Sequence, residues 1–210
     1  MIEKNHITNR FLYYGVKRFF DIVFSLFLLI CLGPIFIVIV LLIGLWDGLP
    51  IFYTWNVHGI QGKKFTGYKF RTMYRFADLE KEKLEALNEM DGPVFKITKD
   101  PRITKIGHIL RKFSLDELPQ IYSVLKGDMS FIGPRPAGFN EFPNYEDWQY
   151  RKLSVKPGIS CLWQVSGRNN ITSFDDWVNL DLEYIDNWSL WLDTKIFFKT
   201  IIVVFKGSGK

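Results

Sequence analysis

The longest apolar stretch in the chain runs from Ile22 to Trp46, 25 residues without a charge, interrupted only by Ser25, Gly33, Pro34 and Gly44. As one straight helix it would reach about 37 Å, enough to cross a bilayer core of about 30 Å. It is too long for a signal-peptide core, and no small-residue cleavage site follows it. Ile30 before Cys31 also disfavours a lipoprotein site. Pro34 removes a backbone donor and crowds the preceding turn, so the break is expected at Gly33 and Pro34. Each half is then about 18 Å long, enough to enter one leaflet and return. Lys4, Arg10, Lys17 and Arg18 precede the run, and Lys63, Lys64, Lys69 and Arg71 follow it. Positive charge favours the cytoplasmic side on both flanks, which a single span does not allow. A re-entrant membrane helix hairpin is therefore expected, with a kinked spanning helix as the alternative, since proline also occurs in those.

After Gly48-Leu49-Pro50 the pattern changes. Ile51–Trp55 and Lys64–Phe70 are β-prone runs around His58-Gly59-Ile60-Gln61-Gly62, which predicts a hairpin. Residues 76–90 are charged with a narrow stripe of Phe76, Leu79, Leu84 and Leu87, which predicts a solvated helix ended by Asp91-Gly92-Pro93. Ile103, Ile106, Ile109, Leu110 and Phe113 recur at helical spacing among Lys105, Arg111 and Lys112, giving a basic amphipathic helix. A short helix is expected over residues 116–126. Beyond Gly- and Pro-rich loops, Phe174, Trp177, Val178, Leu182 and Ile185 form another helical stripe. Ile196–Phe205 is strongly apolar between lysines, suited to docking on the body or lying at an interface. There are no internal repeats. The expected architecture is α+β and mainly helical: residues 1–48 as N-terminal segment and anchor, 49–206 as a membrane-associated catalytic body with a β-hairpin and amphipathic surface helices, and 207–210 as a tail.

Composition agrees with a chain that meets lipid and water at once. Of 210 residues, 48% are hydrophobic and 17% aromatic, yet 27 are Lys or Arg and 22 Asp or Glu. Seven bases and acids fall in residues 1–48, four against three, so the net +5 divides into +1 there and +4 beyond. That modest excess suits anionic headgroups, phosphorylated ligands or nucleic acid alike. Two cysteines without CxxC argue against a disulfide framework, and three scattered histidines against structural zinc. The seven tryptophans are expected in the core or an interface belt.

Two sets of residues suggest chemistry. In Ser114-Leu115-Asp116-Glu117-Leu118-Pro119, Ser114 and Glu117 have the spacing of a capping box. The same string places a carboxylate at a helix start, where it stays ionised and available as a nucleophile toward phosphorus. Both readings stand at this level. The second set comprises basic residues in stiff settings: Lys69 and Arg71 in Lys69-Phe70-Arg71-Thr72-Met73, then Arg102, Arg111, Arg135 between Pro134 and Pro136, and Arg168. Guanidinium forks suit bidentate phosphate contacts, and several converging would clamp a diphosphate. No string in this set is specific alone.

Taken in order, the strings resemble the bacterial sugar transferases, the monotopic phosphoglycosyl transferases. The resemblance starts at Lys17-Arg18-Phe19-Phe20-Asp21 and continues through the broken anchor, Tyr68–Met73, Asp100–Thr104, Leu110–Gln120, Leu125–Ser130, Gly133-Pro134-Arg135-Pro136, Lys156–Ile159 and Trp163–Arg168, covering about residues 15–206. It implies transfer of a sugar 1-phosphate from a UDP-sugar to polyprenyl (undecaprenyl) phosphate, through an aspartyl phosphosugar intermediate, at the cytoplasmic face of the bacterial inner membrane. Asp116 then corresponds to the nucleophile and Glu117 to a residue of Mg²⁺ binding or proton handling. Both are candidate Mg²⁺ ligands, because no dedicated cage is visible and the metal is inferred from diphosphate chemistry. Lys69, Arg111, Arg135 and Arg168 match substrate-contacting basics, and Arg71 joins that candidate set. Membrane lipids are the other expected partner and nucleic acid is not; a homo-oligomer is compatible with the reading.

Trp55 and Val57 stand where the family often has Gln and Arg, and Ser160-Cys161 replaces a frequent Thr-Gly. These departures bear on the hairpin and the nucleotide loop rather than the reaction. Relatives often carry additional transmembrane helices ahead of this unit, so a minimal or shortened form is expected. Two other classes are distinguished by their products: a non-catalytic membrane-surface adaptor has no turnover, and a Mg²⁺-dependent lipid phosphatase releases inorganic phosphate.

Overall fold

A computed structural model describes residues 4–167, 171–207 and 209. Helix α1 (Lys4–Cys31) and helix α2 (Gly33–Leu42), extended by a π-helical turn over Ile43–Asp47, form the two legs of the apolar run. They meet at a 58° bend, and among the described residues no single helix is long and apolar enough to cross a membrane. Pro34 opens α2, where its missing N–H costs nothing, while Leu32 and Phe36 still bond back to Leu28 and Leu32 across the break.

Both legs are fastened to the same body. On the first, Arg18 donates to the carbonyls of Val124 (2.6 Å) and Leu125 (2.7 Å), and Asp21 accepts from Ser130 Oγ and the Phe131 N–H. On the second, Ile39 and Ile43 are buried against Phe70 and Leu110. Between these attachments lies an uncovered apolar elbow, with Ile30 78% and Ile37 63% exposed.

The expected hairpin is present as β1 (Phe52–His58) and β2 (Lys64–Phe70), antiparallel from Phe52 opposite Phe70 to His58 opposite Lys64. A short strand β4 (Ala137–Gly138) extends it at the Val57–His58 end. Strand β3 (Ser130–Ile132) instead pairs in parallel with β5 (Gly158–Ser160) in a separate two-stranded sheet. The predicted amphipathic helix is α3 (Lys105–Lys112), started by Thr104, whose hydroxyl accepts from the Gly107 N–H. Gly107 carries no side chain because one would meet the Thr72 carbonyl at 2.1 Å. Helix α4 (Gln120–Lys126) follows, then α5 (Leu162–Val165), α6 (Phe174–Asp186) and α7 (Leu190–Phe205). The stripe on α6 builds the largest core, Phe174, Trp177 and Val178 against Met90, Tyr145 and Trp163. α7 docks by Ile196 on Ile132, Tyr184 and Ile185 and leaves Phe198, Ile202 and Phe205 exposed.

Two local expectations are corrected. Residues 76–90 form not one helix but two 3₁₀ turns, Ala77–Glu80 and Glu82–Leu87. Phe76 enters the first with φ 63°, and Phe76, Leu79 and Leu87 remain exposed. With its apolar stripe left unburied, the segment lacks the tertiary packing that sustains most protein helices. Ser114 likewise does not form a capping box: its φ is 53°, in the left-handed region, and its side chain makes no cap bond to the following turn. A capping residue needs extended backbone, which Ser114 gives up in turning the chain from α3 into the 3₁₀ turn Leu115–Glu117.

Candidate active site

β2 runs on past Phe70 through Arg71 and Thr72, whose carbonyl bonds the Thr104 N–H at the start of α3. This junction sets Arg111, in the last turn of α3, so that its Nε donates to Thr72 Oγ1 at 2.9 Å. The chain then turns at Ser114 and delivers Asp116 and Glu117 just ahead of α4. Lys69, on the face of β2 toward that turn, bonds Glu117 Oε1 at 2.7 Å. These elements wall a cavity of about 770 Å³. Lys69, Arg71, Arg111, Asp116, Glu117 and Arg135 all line it, and Arg168 lies outside the described residues.

The six are held differently. Asp116 is buried, 7% exposed. Burial pushes its carboxyl above the ordinary value near 3.8; Lys69 opposes this, Glu117 adds to it, and Arg111 opposes it. Arg111 is itself lowered by burial, partly offset by Asp116. Arg71 holds the second leg of the bent helix pair: one terminal nitrogen donates to the carbonyls of Asp47 and Gly48, both at 2.6 Å. Its Nε and other terminal nitrogen are buried with no hydrogen-bond partner among the described residues. Asp47 also accepts from Thr104 Oγ1 at 2.7 Å, so the end of the helix pair and the start of α3 are tied at one point.

Arg135, stiffened by its two prolines, directs its fork into Glu141 at 2.7 and 2.8 Å and lies 5.3 Å over the Trp177 ring. Burial works against its charge, and Glu141 more than offsets that, so the guanidinium stays ionised. Behind it, Asp181 accepts from the Arg135 N–H and pairs with fully buried Lys152 at 2.8 Å. Arg102 is similarly committed, bidentate to Asp100 at 2.9 and 2.6 Å.

Sequence reasoning missed the carboxylates that hold these bases. Glu141 and Asp181 are single acids in unremarkable strings that only the fold brings to Arg135, and Asp100, although it opens the Asp100–Thr104 string, carries no sign of its pairing with Arg102. Thr72 lies in the Tyr68–Met73 string, where nothing local marks its bond to Arg111. Gln120, Trp163 and Gln164, which lie in strings that carry the resemblance, and Tyr53 of the first β-prone run also line the cavity, although no local pattern marks them as site residues. Chemically, the arrangement offers a buried carboxylate beside a second one, faced by cations, in a cavity large enough for a charged small molecule.

Residues 12–207 match the family described as bacterial sugar transferase. The chain is 49% identical over 193 residues to the galactosyl transferase CpsE of Streptococcus agalactiae, covering 92% of this chain and 43% of that protein. It is 44% identical over 217 residues to the undecaprenyl-phosphate galactose phosphotransferase of Salmonella typhimurium, covering 96% and 42%. It is 40% identical over 194 residues to the uncharacterized sugar transferase EpsL of Bacillus subtilis, covering 92% and 89%. The chain thus spans under half of the first two relatives and most of the third.

Proposed function

This chain belongs to the bacterial sugar transferase family, and from that premise we propose that it moves a sugar 1-phosphate from a UDP-sugar to polyprenyl (undecaprenyl) phosphate. The products are polyprenyl-diphosphate sugar and UMP, the first membrane step of a surface glycan. The observation that carries the reading is the buried Asp116 carboxylate, adjacent to Glu117 and faced by Lys69 and Arg111 in one cavity.

A carboxylate oxygen of Asp116 attacks the β-phosphorus of the donor. The bond from that phosphorus to the bridging oxygen breaks, and UMP leaves with the electron pair. A terminal oxygen of the lipid phosphate then attacks the same phosphorus, and Asp116 departs as the carboxylate. Lys69 and Arg111 lie where charge gathers on the diphosphate, and such preset cations are the main demand of phosphoryl transfer. Burial keeps water from the acyl phosphate between the two steps.

The donor set fits Mg²⁺: this ion is often held by one or two carboxylates with substrate phosphates supplying other positions, and Asp116 and Glu117 are such a pair. Among the described residues no cluster of three or more His, Cys, Asp or Glu is placed to hold a metal. Bound at that pair, Mg²⁺ would neutralise the diphosphate charge.

The bent anchor supports membership of one leaflet. Its legs, Tyr13–Cys31 and Gly33–Asp47, are about 28 and 22 Å long. Set symmetrically about the bilayer normal with the 58° bend, the shorter leg reaches a depth of about 11 Å, less than one leaflet. Because both legs are fastened to one body, a span would drag that body into the hydrocarbon. The re-entrant hairpin instead keeps the Asp116 cavity at headgroup level, facing the cytoplasm, where UDP-sugar and lipid phosphate meet.

The decisive experiment incubates purified protein with polyprenyl phosphate and a panel of UDP-sugars and measures UMP. One donor is expected to release UMP, and without acceptor UMP should exchange into that donor. Asp116→Asn should abolish both; full retained turnover would remove Asp116 from its role.

A further inference from the structure

On the hairpin floor, Trp55 of β1 lies directly opposite Gly67 of β2. A Cβ on Gly67 would come within 2.8 Å of the Trp55 ring, so the absent side chain is the space the indole occupies. Tyr53, two residues back on the same face, stacks near it at 6.1 Å and 11°. The Lys69 ammonium stands 5.3 Å from the indole centroid. Trp55 is half-buried and lines the same cavity as Asp116. A large flat apolar surface is thus held rigid in the wall of a site that both charged and aromatic side chains line.

We propose that the Trp55 indole is the platform on which the sugar ring of the donor rests, making it a specificity-determining residue of the site. A hexose has hydroxyls at its rim and an apolar C–H face, and an aromatic ring removes that face from water without competing for the hydroxyls. Position decides between sugar and base. The reacting phosphorus stands at Asp116, and Lys69 is bonded to the neighbouring Glu117. The sugar hangs directly on that phosphorus, whereas uracil is separated from it by the α-phosphate and the ribose. The one Lys69 ammonium reaches both the Glu117 carboxylate, at 2.7 Å, and the indole, at 5.3 Å, so the ring stands beside the reacting pair, on the side where the sugar is attached. Gly67 belongs to the device, because only glycine leaves the indole its seat.

The inference rests on the UDP-sugar donor proposed above, and its test reads affinity rather than turnover. In the 210-residue chain carrying Asp116→Asn, held in lipid nanodiscs so that donor is bound but not consumed, calorimetry gives the affinities of UDP-galactose, UDP-glucose and UMP. Adding Trp55→Ala should weaken the better UDP-sugar about tenfold and UMP by about twofold at most. Trp55→Phe should restore most of the loss, and Gly67→Ala, which displaces the ring without removing it, should reproduce it. Equal weakening of UMP and UDP-sugar would assign the ring to the nucleotide and overturn the proposal, as would unchanged UDP-sugar affinity. Absence of UMP release from every UDP-sugar by the unmutated chain counts instead against the proposed reaction.

Discussion

At the residue scale, Asp116 combines two demands that conflict. As the proposed nucleophile it must be ionised, yet burial raises the pKa of its carboxyl, with Glu117 adding and Lys69 and Arg111 opposing. An acid whose pKa is higher folded than unfolded favours the protonated fold; that contribution is complete at low pH and lost as pH rises through the folded pKa. Asp116→Asn is accordingly expected to raise the melting temperature at pH 7 while abolishing turnover, checked by thermal unfolding beside UMP release. In the active enzyme, the acidic limb of kcat/KM should lie above the ordinary aspartate value near 3.8. Lys69→Met, removing an opposing cation, should move the limb up, and Glu117→Gln, removing a neighbouring charge, should move it down. Movement of both in one direction would detach the limb from Asp116. Asp116 and Glu117 could be chosen from sequence because a string names them. The roles of the arginines could not: Arg71 reads as a free phosphate contact until it is seen on the Asp47 and Gly48 carbonyls, and Arg135 until Glu141 fills its fork.

At the scale of elements, the bent helix pair and the candidate site share fastenings. Arg18 caps the C-terminal carbonyls of α4, where a cation is favoured by both hydrogen bonding and the helix dipole, and α4 directly follows the Asp116 turn. Arg18→Ala leaves two carbonyls without their charged donor and is expected to cost about 2 kcal/mol, read by denaturant unfolding, with Arg18→Lys recovering part. No loss of stability would mean that the first leg is held by its apolar contacts alone. Elements with a strong period were legible: the hairpin, α3 and α6 lie where alternation or helical spacing places them, whereas α7 showed in the sequence only as an apolar stretch over Ile196–Phe205. Strands β3, β4 and β5 were not, because runs of two or three residues carry no measurable period and exist only through their partners. Residues 76–90 show the converse, a helical pattern without a surface to bury its stripe.

At the scale of the whole molecule, the bend and the two fastenings predict topology. A cysteine introduced at position 4 and one on the body at position 206 should react with an impermeant label from the same side of the membrane, the cytoplasmic one. Periplasmic reactivity at position 4 alone would show that the apolar run crosses. The sequence by itself determined the apolar run, its break at Gly33-Pro34, the hairpin and the Asp116-Glu117 pair, because each is written in neighbouring residues whose periodicity or geometry acts locally. Only the tertiary structure decided that both legs return to one body, that Ile39 and Ile43 pack on Phe70 and Leu110, and that Ser114 turns rather than caps. It alone decided which cations line the cavity with their charge already committed and where Trp55 finds its seat. Those outcomes depend on contacts between residues far apart in the chain, and no local pattern carries the information about which distant partner arrives.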